Sequence, residues 1–80
     1  MNSTAILEFT LRKPFIPFRV HVAGITHYDV LHSEWIMVGV TTAFIGGRRD
    51  PNSPIFDEPI VIALRHITKL EPLDIPTQAA

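Results

Sequence analysis

The chain has 80 residues, with seven Lys and Arg, eight Asp and Glu, and no cysteine. This length allows a single domain, and the lack of cysteine excludes disulfide bonds and thiolate metal sites. The formal charge of −1 at pH 7 gives no net field that would attract nucleic acid or an anionic membrane.

Hydrophobic residues make up 46% of the chain, a high fraction for so small a domain. A domain of this size buries only about 60–65% of the surface of its unfolded chain. An additional element or another chain must therefore cover part of the apolar surface. The first residues lack the regions of a signal peptide, and no apolar run approaches the roughly 20 residues that span a bilayer. We expect a cytoplasmic protein without membrane contact.

The pattern of residues 1–12 fits two structures. Asn2 or Ser3 is a suitable cap for a helix that runs to Arg12. The apolar residues of the same segment also alternate with polar ones, as in a strand: Leu7, Phe9 and Leu11. The pattern alone favours neither structure.

Two prolines follow, and they end whatever element precedes them. Pro14 and Pro17 each lack a backbone donor, and each favours an extended conformation in the residue before it. This stiff segment is expected to direct Phe15 and Phe18 into the core and to set the direction of the first strand.

Residues 18–22 and 26–30 both alternate between apolar and polar side chains, which predicts a β-hairpin. A three-residue loop, 23–25, keeps the two apolar faces together, whereas a slip of one residue would mix them. The predicted cross-strand pairs are Phe18 with Val30, Arg19 with Asp29, Val20 with Tyr28, His21 with His27, and Val22 with Thr26.

Further strands are predicted at 35–38, 42–46, 59–64 and 67–71, with a polar loop at 46–54 and a short turn at Arg65 and His66. Five or six short strands with tight turns predict a mainly β fold, a small SH3-like or Sm-like antiparallel barrel. We expect this domain to cover residues 1–73, with a flexible tail at 74–80.

Several short stretches also follow the order and spacing of a family pattern: PFIPFRVH at 14–21, HSE at 32–34, VG at 38–39 and HITKLEP at 66–72. In these stretches the chain resembles a family of short bacterial proteins to which no activity is assigned. Gly24-Ile25 and Ser33 depart from the family's Asp-Gly and Pro. The resemblance implies a short helix over residues 3–12 and carries over no active site.

The sequence gives only weak evidence for a metal site or a catalytic site. His21 and His27 face each other across the hairpin, and two such imidazoles can share a metal if a third ligand joins them. Candidates for that ligand are Asp29, His32 and His66. No metal-type spacing such as His-x-x-x-His occurs, so we expect solvated histidines and no cofactor.

The stretch 32–34 contains the residue types of a hydrolytic triad, His32, Ser33 and Glu34. Neighbouring residues of an extended chain point to opposite sides, so they cannot form the hydrogen-bonded series that a triad requires. We predict no catalytic residue and no enzymatic activity.

The apolar runs at 35–38 and 59–64 are the most informative feature for function. Both are apolar on successive positions, so a one-sided sheet would expose half of each run. Either the N-terminal helix covers the excess, or the excess is a surface for a protein partner or for other copies of the chain. The predicted interface residues are Trp35, Met37, Ile60 and Ile62.

The preferred hypothesis is therefore a non-catalytic module for protein interaction or self-association. The alternative is an Sm-like protein that binds RNA or nucleotides, because arginine side chains bind oxyanions well. The candidate anion contacts are Arg48, Arg49, Arg65 and Lys69. Acidic residues at Asp50, Asp57 and Glu58 offset the charge of the first two, which makes nucleic acid the less favoured partner.

Overall fold

The protein is mainly β, as the sequence predicts. A computed structural model describes residues 1–46, 52 and 59–73. Within these residues the chain forms a helix and six strands: α1 (Ser3–Thr10), β1 (Phe18–Val22), β2 (His27–Val30), β3 (Ile36–Val38), β4 (Thr42–Ile45), β5 (Ile60–Ala63) and β6 (Ile67–Pro72). Two short 3₁₀ helices, Ser33–Trp35 and Leu64–His66, precede β3 and β6.

The strands form two antiparallel sheets of three strands each. The first sheet has the order β2-β1-β6 and the second has the order β3-β4-β5. The register predicted for the first hairpin is confirmed, with Arg19 opposite Asp29 and Val20 opposite Tyr28. The turn at 23–25 contains Gly24 at φ 94°, in the left-handed region that glycine adopts without strain.

The N-terminal segment is a helix, as the family resemblance implies. Asn2 caps it, because its side-chain oxygen accepts a hydrogen bond from the backbone N–H of Ala5 at 2.9 Å. The helix ends at Thr10, short of the predicted Arg12, and Pro14 soon follows. A proline disfavours helical backbone in the residue before it, which limits how far a helix can continue.

One hydrophobic core joins the helix and both sheets. Its buried members are Ile6, Phe18, Val20, Val30, Ile36, Ala43, Ile45, Ile62, Leu64 and Ile67. The Phe18 ring packs edge-on against Phe9 at 5.3 Å and against Phe15 at 6.0 Å between centroids. The proline-rich segment therefore places Phe15 beside the core, as expected.

The 3₁₀ helix before β6 ties the two sheets together. The N–H of Leu64 donates to the carbonyl of Thr41 at 2.9 Å, in the turn between β3 and β4. The N–H of Ala23 donates to the carbonyl of His66 at 2.8 Å, in the turn between β1 and β2. Both hairpin turns are therefore hydrogen-bonded to the same 3₁₀ helix.

The predicted strand limits need small corrections. The third strand begins at Ile36, because Ser33–Trp35 form a 3₁₀ helix, and the apolar run at 59–64 is a strand only over Ile60–Ala63. Most of the predicted loop at 46–54 and the whole predicted tail at 74–80 lie outside the described residues. In the described part of the chain, no helix is long and apolar enough to cross a membrane.

Candidate interaction surface

The outward face of the second sheet carries an apolar row that crosses all three strands. Met37 on β3 lies opposite Phe44 on β4, and Phe44 lies opposite Val61 on β5. The exposed fractions are 67% for Met37, 37% for Phe44 and 60% for Val61. We call the outward side of this sheet, centred on these three residues, the apolar face.

The apolar face has no charge. The strands read IMV, TAFI and IVIA, and none contains a charged residue. The row next to Phe44 pairs Thr42 with Ala63, which are small. Because side chains alternate across a strand, Ala43, Ile45 and Ile62 point into the core instead.

The four predicted interface residues do not share one surface. Met37 lies on the apolar face, and Ile62 is only 5% exposed and belongs to the core. Ile60 points to the same side as Ile62 and is partly exposed at the end of β5. Trp35 is half-buried, with its ring edge-on against His32 at 4.6 Å. Sequence reasoning missed Phe44 and Val61, because they join Met37 only through the register of two hairpins.

The helix covers only part of the apolar excess. Ile6 is fully buried and Phe9 packs against the core, but Leu7 on the same helix and Leu11 just after it are exposed. Two further apolar side chains, Ile25 and Val40, stand almost fully exposed at the hairpin turns. Single exposed residues of this kind are common on protein surfaces, whereas an aligned row is not.

The outward face of the first sheet has the opposite character. Its register aligns Asp29, Arg19 and Glu71 in one row, and His27, His21 and Lys69 in the next. We call this side the charged face. Arg19 donates two hydrogen bonds to Asp29, at 2.7 and 3.1 Å. A further hydrogen bond, at 2.9 Å, joins His21 Nε2 and Glu71 Oε1.

These contacts change the acidity of the groups involved. The hydrogen bond from Arg19 lowers the pKa of Asp29, and the same bond raises the pKa of Arg19. The hydrogen bond with His21 lowers the pKa of Glu71, with a smaller contribution from the charge of Lys69. Both carboxylates of the charged face are therefore paired with a side chain of the same sheet, and the lowered pKa values favour their ionised form.

Two of the three candidate third ligands for a metal, Asp29 and His32, have other partners. The rings of His21 and His27 are 6.0 Å apart, but Asp29 is bonded to Arg19 and His32 packs against Trp35. No group of three His, Asp or Glu side chains that could hold a metal is present in the portion of the chain that the structure describes.

Two of the four candidate anion contacts lie within the described residues. Arg65 and Lys69 are exposed, and Lys69 lies opposite His21 on the charged face. Arg48 and Arg49 lie outside the described residues. An open cleft of about 490 Å³ beside the C-terminal end of α1 is lined in part by Arg12 and Lys13, and the Arg12 guanidinium stacks over Phe9 at 4.6 Å.

The chain matches no protein-family model, no curated protein and no solved structure among those compared.

Proposed function

We propose that this chain is a non-catalytic, cytoplasmic β-barrel protein that works by protein interaction or self-association through the apolar face. The observation that carries the proposal is the row formed by Met37, Phe44 and Val61. All three side chains are exposed, although the same strands bury their alternate residues. Covering such a face with another apolar surface removes it from water and lowers the free energy of the complex.

The barrel part of the proposal has separate support. β1 pairs with β6, so the first and last strands lie side by side, and a 3₁₀ helix links β5 to β6. Both sheets contribute to one core. A small SH3-like or Sm-like barrel combines these features, but a fold of this class implies no particular activity.

The energetic argument for association compares two kinds of exposed surface. Removing apolar surface from water stabilises a complex by about 25 cal/mol per Å². Covering a charged group without a partner opposes binding strongly. Covering the apolar face buries apolar surface and buries no charge of this chain, since β3, β4 and β5 have no charged residue.

A photo-crosslinking amino acid at Val61 tests the proposal in living cells. We expect covalent adducts, either with a second copy or with another protein, because Val61 lies in the proposed contact. The matched control places the same amino acid at Ile25, which is 98% exposed in the turn between β1 and β2. Absence of adducts at Val61, or equal adducts at both positions, contradicts the proposed function.

The alternative hypothesis, that the chain binds nucleic acid, makes a different prediction. Affinity for mixed oligonucleotides would fall steeply with salt, because phosphate contacts release counterions, and substitution of Arg65 or Lys69 would weaken it. Variants of the apolar face would leave it unchanged. This result would favour the Sm-like alternative over the interaction module.

A further inference from the structure

We propose that the partner of the apolar face is a second copy of the same chain, packed face to face about a two-fold axis that runs along β4. This inference rests on the proposed function, because it names the occupant of the same face. It assigns Phe44 to the axis and places Met37 of each copy against Val61 of the other.

The first argument is the match of charge. A partner that presented charged residues to the apolar face would lose their hydration and gain no opposite charge, since β3, β4 and β5 contain none. The suitable partner surface is itself apolar and uncharged. The only sheet face of that kind in the described part of this chain is the apolar face itself.

The second argument is self-complementarity. Phe44 lies on the central strand, and it is flanked by Met37 on one side and Val61 on the other. A two-fold axis along β4 brings the two Phe44 rings together, and aromatic pairs of this kind favour association. It also sets the long Met37 side chain against the shorter Val61, which lets large and small residues interdigitate. An axis across the strands would instead set Met37 against Met37.

The third argument is closure. Among the described strands β5 lies at one edge of its sheet, and association through this edge would extend the sheet but leave the apolar row exposed on every copy. Packing two such faces together, with the sheets about 10 Å apart, covers both rows at once. A two-fold contact of this kind uses the same patch on both copies, so the assembly ends at the dimer.

The absence of cysteine from the chain allows a direct test of this geometry. Single-cysteine variants of the purified protein are treated with a short bismaleimide crosslinker. We expect Phe44→Cys to give a covalent dimer, because a residue on the axis meets its own copy. We also expect a mixture of Met37→Cys and Val61→Cys to crosslink more than either variant alone. Ile25→Cys is the control for random collision.

Light scattering measures the association itself. We expect the mass to approach twice 9.0 kDa as the concentration rises. Val61→Glu should weaken the dimer at least tenfold, and Val61→Thr, which nearly preserves shape, should weaken it to a smaller extent. Ile25→Ser removes a more exposed apolar side chain elsewhere and should leave the mass unchanged.

Three results would overturn the inference: a strict monomer, assemblies larger than the dimer, or a dimer that does not crosslink at position 44. A purified monomer that still forms adducts with a different protein at Val61 in cells would refute the homodimer and keep the proposed function. Absence of adducts in cells together with a purified monomer would refute both.

Discussion

The charged face and the apolar face are the outward sides of two similar sheets, but their side chains differ in chemistry. Each sheet has three strands, and each turns its alternate residues into one shared core. The outward residues of the first sheet form ion pairs and hydrogen bonds among themselves. On the second sheet, the outward side chains of Met37, Phe44 and Val61 are apolar and cannot form such bonds, so only burial can stabilise them. Both sheets thus bury apolar residues on their inward side, and they differ only in the residues that face outward.

The contrast is not a consequence of average composition. Charged residues make up 19% of the chain, yet none lies on β3, β4 or β5. On the first sheet, every strand carries at least one charged residue in the row formed by Asp29, Arg19 and Glu71. A charged edge or face discourages association, and one sheet of this protein has that protection while the other lacks it.

The largest expected effect is the loss of stability when an inward phenylalanine is truncated, compared with the loss for an outward one. Phe18 is fully buried and packs against Phe9 and Phe15, so Phe18→Ala should lower the free energy of unfolding by about 3–5 kcal/mol. Phe44→Ala in dilute, monomeric protein should lower it by about 1 kcal/mol or less, because Phe44 is partly exposed. Urea unfolding monitored by circular dichroism provides both values.

Similar losses of stability in the two variants would contradict the assignment of Phe44 to an outward face. The Phe18→Leu variant serves as a control, because it keeps most of the buried volume and should lose less stability than Phe18→Ala. A variant with an unfolded spectrum at zero urea still distinguishes the two positions, provided that Phe44→Ala remains folded.

The first sheet was predictable from the sequence because its strands alternate clearly. Residues 18–22 and 26–30 each have one apolar and one polar face, and only one register keeps those faces together. The hydrogen bond between His21 and Glu71 was not predicted. It depends on the pairing of β1 with β6, and 50 residues separate the two partners in the sequence.

The second sheet was less predictable because its strands are apolar on successive positions. Strands were expected near 35–38 and 59–64, but the pattern did not show which residues face outward. Ile62 was therefore predicted at the interface and lies in the core, while Val61 was missed. The helix was undecided for a related reason: Ile6 and Phe9 pack inward at helical spacing, but the alternation of Leu7, Phe9 and Leu11 is equally typical of a strand.

The second largest effect is expected on association, when the charged face is made apolar. The triple variant Asp29→Val, Arg19→Val and Glu71→Val gives the first sheet a cross-strand apolar row like that of the second. We expect it to fold and to form species larger than the dimer, because each copy then has two apolar faces. Light scattering over a concentration series measures the change.

A control variant with Asn at 29, Gln at 19 and Gln at 71 removes the charges but keeps polar side chains. It should not form the larger species, because it adds little apolar surface. If both triple variants associate equally, loss of charge alone is responsible, and the contrast between the faces would have to be attributed to repulsion between copies.

The hairpin turn of the first sheet gives a third, smaller effect. Gly24 has φ 94°, which is unfavourable for residues with a Cβ, and a Cβ there would meet no other atom within 4 Å. Gly24→Ala should therefore lower the free energy of unfolding by about 1–2 kcal/mol through backbone strain alone. Gly24→Asn should lower it less, because asparagine tolerates left-handed backbone better. Equal stability of the Ala variant and the unmodified protein would refute the predicted strain.

The ion pair of the charged face should give the smallest effect, and it depends on pH. The hydrogen bond from Arg19 lowers the pKa of Asp29 in the folded protein below its value in the unfolded chain. The unfolded chain therefore binds more protons as the pH falls below about 4, the ordinary pKa of an aspartate. The stabilisation from Asp29 is fully present above that pH and is lost as the pH falls through the lowered pKa.

Asp29→Asn removes this dependence without removing the side chain. In urea unfolding, the variant should be slightly less stable than the unmodified protein at pH 7, and the difference should shrink toward pH 3. Because the pKa of Glu71 is lowered as well, part of the acid sensitivity should persist in Asp29→Asn and decline further in the double variant with Glu71→Gln. A difference that grows toward low pH would have the wrong sign for a lowered carboxylate pKa, and it would contradict the role of Arg19 in holding Asp29 ionised.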